Sequence, residues 1–332
     1  MTVVHPSDRH LVMMLDDRTD EVKHVEAPKD AEVIVLQRVT HRYLAQAVSI
    51  LRTQGIAVVI DVDDDLSSIH PSNPAWQDLH PNRKQYVRGA SPHLHSWRYL
   101  AHACRDATLV TATTPALLKR YAAHGRGHLL PNYLADHYYG VSRRDSALLG
   151  WPAALHSHPD DPSAVGNAVA RLIDEGTAFR VASVNAGVGA AFGLATDARV
   201  GQVLKPVDLL DWPHAVADVG VGIAPLADTQ FNAAKSWLKP LEMAAVGVPW
   251  VASPRVEYRR LHALGCGLLA DKPKVWYRAL KDLLTSEARR TELSEAGRAV
   301  AETLRLRDHA WRWWEAWSRA LDDHHGRERV AS

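Results

Sequence analysis

Several features that would mark a specialised class are missing from this sequence. Only two of its 332 residues are cysteine, Cys104 and Cys266. They lie far apart, with no Cys or His at metal-ligand spacing. A disulfide scaffold and a zinc finger are therefore excluded, and two ordinary buried thiols are expected. Charge of one sign is missing too: Lys+Arg is 39 and Asp+Glu 38, a net of +1. That excludes affinity for a polyanion driven by bulk charge and leaves at most a local basic patch. No apolar run approaches the ~18 residues of a membrane-spanning helix. The opening MTVVHPSDRHLVMML lacks the basic start and apolar core of a secretory signal, so a cytoplasmic location is expected. Histidine is abundant, at 19, but HExxH is absent and close pairs such as 93/95 and 156/158 form no tight cluster, so no zinc site is expected.

What remains is an ordinary folded composition, 46% hydrophobic and 23% charged, with 11 Trp against 3 Phe. At ~150 residues per domain, the length suggests about two domains. Residues 33–36 (VIVL) and 56–60 (IAVVI) are β-branched runs of buried-strand length. Between them, 41–54 carries apolar residues at helical spacing and Gly55 follows as a stop. A third strand over 107–111 precedes a helix over 115–124, and 128–130 runs into Pro131-Asn132. The polar stretch 136–146 (DHYYGVSRRDS) is the candidate linker. The alternation then restarts: strands over 148–151, 179–184, 219–226 and 248–253, with helices over 162–175, near Pro240, and over 274–284 and 286–304. This predicts two α/β domains with parallel sheets.

Ligands of open α/β sheets bind outside the carboxyl ends of the strands. The residues after each predicted strand therefore carry the highest functional expectation: 61–65, 111–114 and 132, then 151–161, 185–187, 228–239 and 253–258. The segment 224–253, APLADTQFNAAKSWLKPLEMAAVGVPWVAS, is the richest of these. A polar loop holds Asp228, Asn232, Lys235, Ser236 and Lys239. Pro240 suits the first helical position, where its missing N–H costs nothing. Glu242 is expected in the first turn, and Gly247 ends the helix. Uncapped N–H groups at such a start, with two lysines beside them, make an anion site. A solvated loop with surface lysines is the plainer alternative.

KPLEMAAVGVPWVAS, preceded by IAPL and followed by Tyr258, resembles the donor-binding region of GT-B glycosyltransferases, most closely the family 4-like group. The resemblance extends over roughly residues 30–320, specific around 224–258 and supportive elsewhere. It implies two Rossmann-like domains with parallel sheets facing a cleft, and a C-terminal helix crossing back to the N-terminal domain. The implied division is 1–140 on the acceptor side, 141–305 for the nucleotide-sugar donor, and 306–332 for the crossover helix and tail. The implied reaction moves a sugar from a nucleotide diphosphate sugar to an acceptor hydroxyl, without metal or other cofactor and with retention of configuration. Lys235, Ser236 and the N–H groups of Trp237, Leu238 and Lys239 would hold the diphosphate, and Glu242 the ribose. Gly187 would approach phosphate or sugar, and Lys205 and Val207 would lie in the loop that cradles the base. One departure stands out. The group's earlier glutamate would fall at Ala234, and Asn232 or Lys235 is the candidate substitute.

The second strong feature is VVIDVDDDL, residues 58–66. Three physical readings compete. Strand-terminal carboxylates could bind a divalent metal, serve as a phosphatase nucleophile and acid, or cap the next helix. The same DDDL run, followed by Asn73-Pro74, resembles a GT-B branch seen in actinobacteria and their phages, where it faces the cleft. On that reading Asp63 and Asp64, with His158 of SHPDD, are candidates for the reacting sugar. Arg38, Asp65, Arg83 and Arg88 are candidates on the acceptor side. The acceptor could be a small molecule, glycan, protein or modified DNA. A non-catalytic GT-B protein that binds a nucleotide sugar or a partner is the rival of another class. The stretch 309–321 (HAWRWWEAWSRAL) puts Trp313, Trp317 and Leu321 on one helical face, expected to pack rather than bind ligand.

Overall fold

A computed structural model describes residues 11–16, 18–71, 73–79, 96–144, 146–182, 186–202 and 207–331. The chain divides into two compact units: Met1–Pro131 with Ala310–Ser332, and Asn132–His309.

The first unit opens with an antiparallel hairpin, β1 (Val12–Leu15) and β2 (Val22–Glu26). Then come β3 (Val33–Gln37), α1 (Arg42–Thr53), β4 (Ala57–Val62), α2 (Pro74–Leu79), α3 (Trp97–Asp106), β5 (Leu109–Ala112), α4 (Pro115–Tyr121) and β6 (Gly127–Leu129). Strands β3-β4-β5-β6 form a parallel sheet in that order. The apolar run in β4 is buried along nearly its whole length, as expected for a strand covered on both faces. Helix α1 turns Ala45, Ala47, Val48 and Leu51 inward, and Gly55 (φ 84°) takes the left-handed position that stops it. Helix α4 starts with Pro115 behind Thr114, whose hydroxyl accepts from Leu117 N at 3.3 Å. The C-terminal helix, Trp311–Ala331, belongs to this unit. Its Ala316 and Ala320 join Val33, Ala57, Val59, Leu109 and Leu130 in one core cluster, flanked by Trp313, Trp317 and Leu321. The packing face read from the sequence is the face that packs, and Trp311 and Trp314 stay exposed.

Among the described residues the second unit has six parallel strands: β7 (Leu149–Trp151), β8 (Phe179–Val181), β9 (Val200–Gln202), β10 (Val221–Ala224), β11 (Trp250–Ala252) and β12 (Leu268–Leu269). Its helices are α5 (Ala168–Asp174), α6 (Val188–Ala191), α7 (Trp212–Ala217), α8 (Gln230–Ala233), α9 (Leu238–Ala245), α10 (Val256–His262), α11 (Pro273–Thr285), α12 (Glu287–Glu302) and the short α13 (Leu306–His309), among the described residues. The strand order is β12-β11-β10-β7-β8-β9. The chain builds outward from β7 in one direction, then returns to its other side with β10. This is the doubly wound order, and its switch point lies between β7 and β10. Gly222 of β10 allows α9 to approach closely: a Cβ there would sit 2.2 Å from Met243 Sδ.

Several boundaries differ from the sequence expectation. The helix expected over 162–175 begins as a 3-10 turn, Asp161–Val165, and restarts as α5 because Gly166 takes φ 55°. The strand expected over 219–226 ends at Ala224, before Pro225, which has no N–H to give a ladder. The stretch 136–146 is not a free linker. It begins with a 3-10 turn, Asp136–Tyr138, and buries Tyr138 and Val141 in the core of the second unit.

Candidate functional site

In the second unit the loops after β7 and β10 meet at the switch point. Asp161, only 3% exposed, ties them together. Its Oδ1 accepts from Ala227 N at 3.0 Å and from Asn232 Nδ2 at 2.6 Å, and its Oδ2 lies 2.8 Å from His158 Nδ1. Asn232 Nδ2 also donates to Ala227 O at 3.1 Å, so both its amide hydrogens are used inside the fold. The structure therefore turns Asn232 inward, where the sequence reading had it as a donor contact: its neighbours are a buried carboxylate and a carbonyl. Position 234, where the earlier glutamate would fall, is a buried alanine.

Positive charge gathers beside this junction. Lys239 Nζ is 3.4 Å from His158 Nε2 and 6.0 Å from the centre of the Trp151 ring. Burial pushes Lys239 down to about 8; Lys235 adds to the shift and Asp161 opposes it. Burial also pushes His158 down to about 4, with Lys239 acting in the same direction and the Asp161 bond against it. Lys235 Nζ stands 4.4 Å from the centre of the Phe231 ring. Ser236 Oγ accepts from Asn132 Nδ2 at 2.7 Å, and Trp237 Nε1 donates to Asn132 O at 2.8 Å. Behind Trp237, the Arg260 guanidinium lies 5.3 Å from the ring centre and is gripped by buried Glu257 at 3.0 and 2.9 Å.

Helix α9 starts at Leu238, with Trp237 as a cap whose side chain makes no capping bond. Pro240 is thus its third residue, not its first as the sequence suggested. The cost is still nil, because the first four N–H groups of a helix have no partner inside it. Glu242 falls in the second turn rather than the first. Its Oε1 accepts from Tyr138 OH at 2.7 Å, and Trp212 also hydrogen-bonds the carboxylate. Burial raises the Glu242 pKa, against the pull of those two bonds and of Lys239. Leu238 packs against the apolar core of the unit.

The turn before α6 is already supplied with an anion. Gly187 N donates to Asp197 Oδ2 at 2.8 Å and Gly189 N to Asp197 Oδ1 at 2.6 Å. Gly187 has φ 83°, which only glycine takes without strain. Val207 is half-buried in the loop before α7, and Lys205 lies outside the described residues.

In the first unit the carboxylates at the end of β4 have separate fates. Asp61 accepts from Thr111 Oγ1 at 2.6 Å and from Gln37 Nε2 at 2.7 Å; burial raises its pKa. Asp63 pairs with Arg38 Nη2 at 2.9 Å, with side chains 44% and 67% exposed. That bond raises the Arg38 pKa, with a smaller contribution from Asp64, which is half-buried. Arg38 itself has φ 49°, an uncommon conformation for a residue with a side chain. Asp65, 2% exposed, is spent on structure. It accepts from Ser67 Oγ (2.6 Å), Ser68 Oγ (2.7 Å) and Tyr121 OH (3.0 Å), and pairs with Arg120 Nε at 2.9 Å. Asp65 sits at the N-cap position of the 3-10 turn Leu66–Ser68, but its side chain makes no capping bond; the carboxylate ties side chains together instead. Among the described residues, no group of three or more His, Cys, Asp or Glu is placed to hold a metal ion. Arg83 and Arg88 lie outside the described residues. Both cysteines are free and buried, and no described helix is long and apolar enough to cross a membrane.

Four contributors escaped the site reading. Asp161 and Asn132 were legible only as residues after a strand, and Tyr138 was hidden in a segment read as linker. Trp212 opens a helix that the sequence pattern did not reveal.

No protein-family profile matches the chain, and no curated protein matches it in sequence. Solved structures do match in fold. Anabaena Alr3699/HepE in complex with UDP superposes with a TM-score of 0.60 at 13% identity, covering 87% of this chain and 79% of that one. TarM gives 0.60 at 11% identity, covering 93% and 64%. The sucrose-phosphate synthase of Thermosynechococcus elongatus gives 0.54 at 15% identity, covering 91% and 74%. The chain has the GT-B glycosyltransferase fold.

Proposed function

We propose that this protein transfers a sugar from a nucleotide diphosphate sugar to an acceptor hydroxyl. The observation that carries the reading is the convergence of Lys235, Lys239, Ser236 and the uncapped start of α9 at the switch point between β7 and β10. The chemistry needs charge stabilisation on the leaving diphosphate. Two ammonium groups, a hydroxyl and helix N–H groups supply it without a metal. Glu242, held in place by Tyr138 and Trp212, is the group assigned to the ribose hydroxyls. In the first unit, Asp63, Asp64 and Arg38 are the groups assigned to sugar or acceptor. Asp65 and Asn232 are left out because their side chains are committed within the fold. Gly187 is likewise excluded from phosphate contact, because Asp197 already holds its N–H.

The structural neighbours support a uridine nucleotide. HepE has been captured with UDP-glucose, and S. aureus TarM with UDP and alpha-GlcNAc-glycerol. The acceptor class stays open among small molecule, glycan, protein and modified DNA, and retention of configuration is the expected stereochemistry. The deciding experiment is a thermal-shift screen of nucleotide sugars followed by a transfer assay, since a bound donor raises the melting temperature by linkage. Stabilisation with slow release of nucleotide supports the reading, and the anomer of the product reads the stereochemistry. Transfer abolished by EDTA and restored by Mn²⁺ would overturn the metal-free part. Ala234 favours a second reading, a non-catalytic nucleotide-sugar binder. Calorimetry showing donor binding with neither hydrolysis nor transfer would select it.

A further inference from the structure

The hydrogen inventory at the β7/β10 junction admits a single assignment. Asp161 Oδ1 is occupied by Ala227 N–H and the Asn232 amide. Its Oδ2 faces His158 Nδ1 at 2.8 Å. A carboxylate only accepts, so Nδ1 carries the hydrogen. On the other side of the ring, Nε2 faces the Lys239 ammonium at 3.4 Å, and an ammonium only donates. Both contacts are satisfied by one species: a neutral imidazole with Nδ1–H and a lone pair on Nε2. The charged groups around the ring are Asp161, Lys239 and Lys235, and the Trp151 ring stands edge-on at 6.5 Å.

We propose that Asp161 is a positioning residue that fixes His158 as an acceptor, and that His158 Nε2 takes a hydroxyl of the donor's sugar rather than its phosphate. This assignment rests on the nucleotide-sugar reading above. A phosphate oxygen is itself an acceptor, and it would meet a lone pair. A sugar hydroxyl donates, and by replacing Lys239 on the one lone pair of Nε2 it releases both lysines to the diphosphate. The junction thus divides the labour: cations for the anionic half of the donor, and a neutral histidine for the polyol half.

Asp161→Asn tests the arrangement with almost no change of shape. The amide oxygen keeps its bonds to Ala227 and Asn232, so the amide nitrogen must face His158. It donates to Nδ1 and moves the ring hydrogen to Nε2, where it opposes both Lys239 and an incoming hydroxyl. In ¹⁵N NMR of histidine-labelled protein at pH 7, wild-type His158 is expected as the Nδ1–H tautomer and the variant as Nε2–H. Calorimetry with UDP and UDP-glucose reads the second half. His158→Ala and Asp161→Asn should each weaken UDP-glucose by about tenfold, the loss of one polar contact, and UDP by less than about twofold. An Nε2–H or charged His158 in the wild type overturns the positioning role without any variant. Equal weakening of UDP and UDP-glucose overturns the hydroxyl assignment. If the wild type binds neither ligand, the nucleotide-sugar reading fails and the hydroxyl assignment with it, whereas the tautomer result still decides the role of Asp161.

Discussion

Each unit places charged side chains at the carboxyl ends of a parallel sheet, and they are handled in opposite ways. At the end of β4, Asp61 and Asp65 are surrounded by donors from their own unit. Asp63 and Arg38 neutralise each other near the surface. At the β7/β10 switch point, by contrast, two lysines and a histidine stand close together beside Asp161 and Glu242. Burial and mutual repulsion press Lys239 to about 8 and His158 to about 4. A group fully satisfied by its neighbours contributes stability. Like charges held together in a crevice stabilise nothing by themselves and favour a ligand of opposite charge. One chain thus holds a charged cluster spent on structure and, on the function proposed above, another kept for a ligand.

The largest effect is expected of Asp65→Ala. It strands Tyr121 OH and Arg120, and should lower stability by about 3 kcal/mol, measured by urea unfolding, with nucleotide affinity unchanged. A stable variant with lost affinity would reverse the roles assigned to the two regions. Next comes Lys235→Ala, which should lower kcat/KM on the order of a hundredfold while the melting temperature holds. Wild-type turnover would remove Lys235 from the diphosphate site. A smaller effect follows from pH. With Lys239 near 8, its ammonium is present at pH 7 and lost as pH rises, so affinity for UDP should fall by about tenfold between pH 7 and 9. Lys239→Arg, charged throughout, should flatten that profile; an unchanged slope would assign it to another group. The smallest expected change is Arg38→Ala. The exposed pair with Asp63 contributes no more than about 0.5 kcal/mol, so stability should stay constant while transfer slows severalfold. Unaltered transfer would take Arg38 out of the reaction.

The sheet architecture was legible because buried parallel strands read as short apolar runs and their helices carry clear stops. Gly55 after α1 and Gly247 after α9 are examples. The hairpin β1/β2 and strand β9 were not legible: the hairpin is largely exposed and β9 lies at the edge of its sheet, so neither carries a buried apolar run. The basic loop of the site was legible too, since Lys235, Ser236 and Lys239 share one post-strand segment. Its organisation was not. Asn232 looked like a ligand contact until Asp161, 71 residues earlier, proved to hold it. Long-range pairs of this kind are set by the order in which strands pack, which local spacing does not encode.

On the function proposed above, the β7/β10 switch point holds the diphosphate of a nucleotide sugar through Lys235 and Lys239. Calorimetric titration of UDP into the wild-type protein and into the Lys235→Ala/Lys239→Ala double variant tests it most directly. Saturable binding to the wild type and none to the variant is expected, with both proteins unfolding at the same temperature. Equal binding to the two would contradict it.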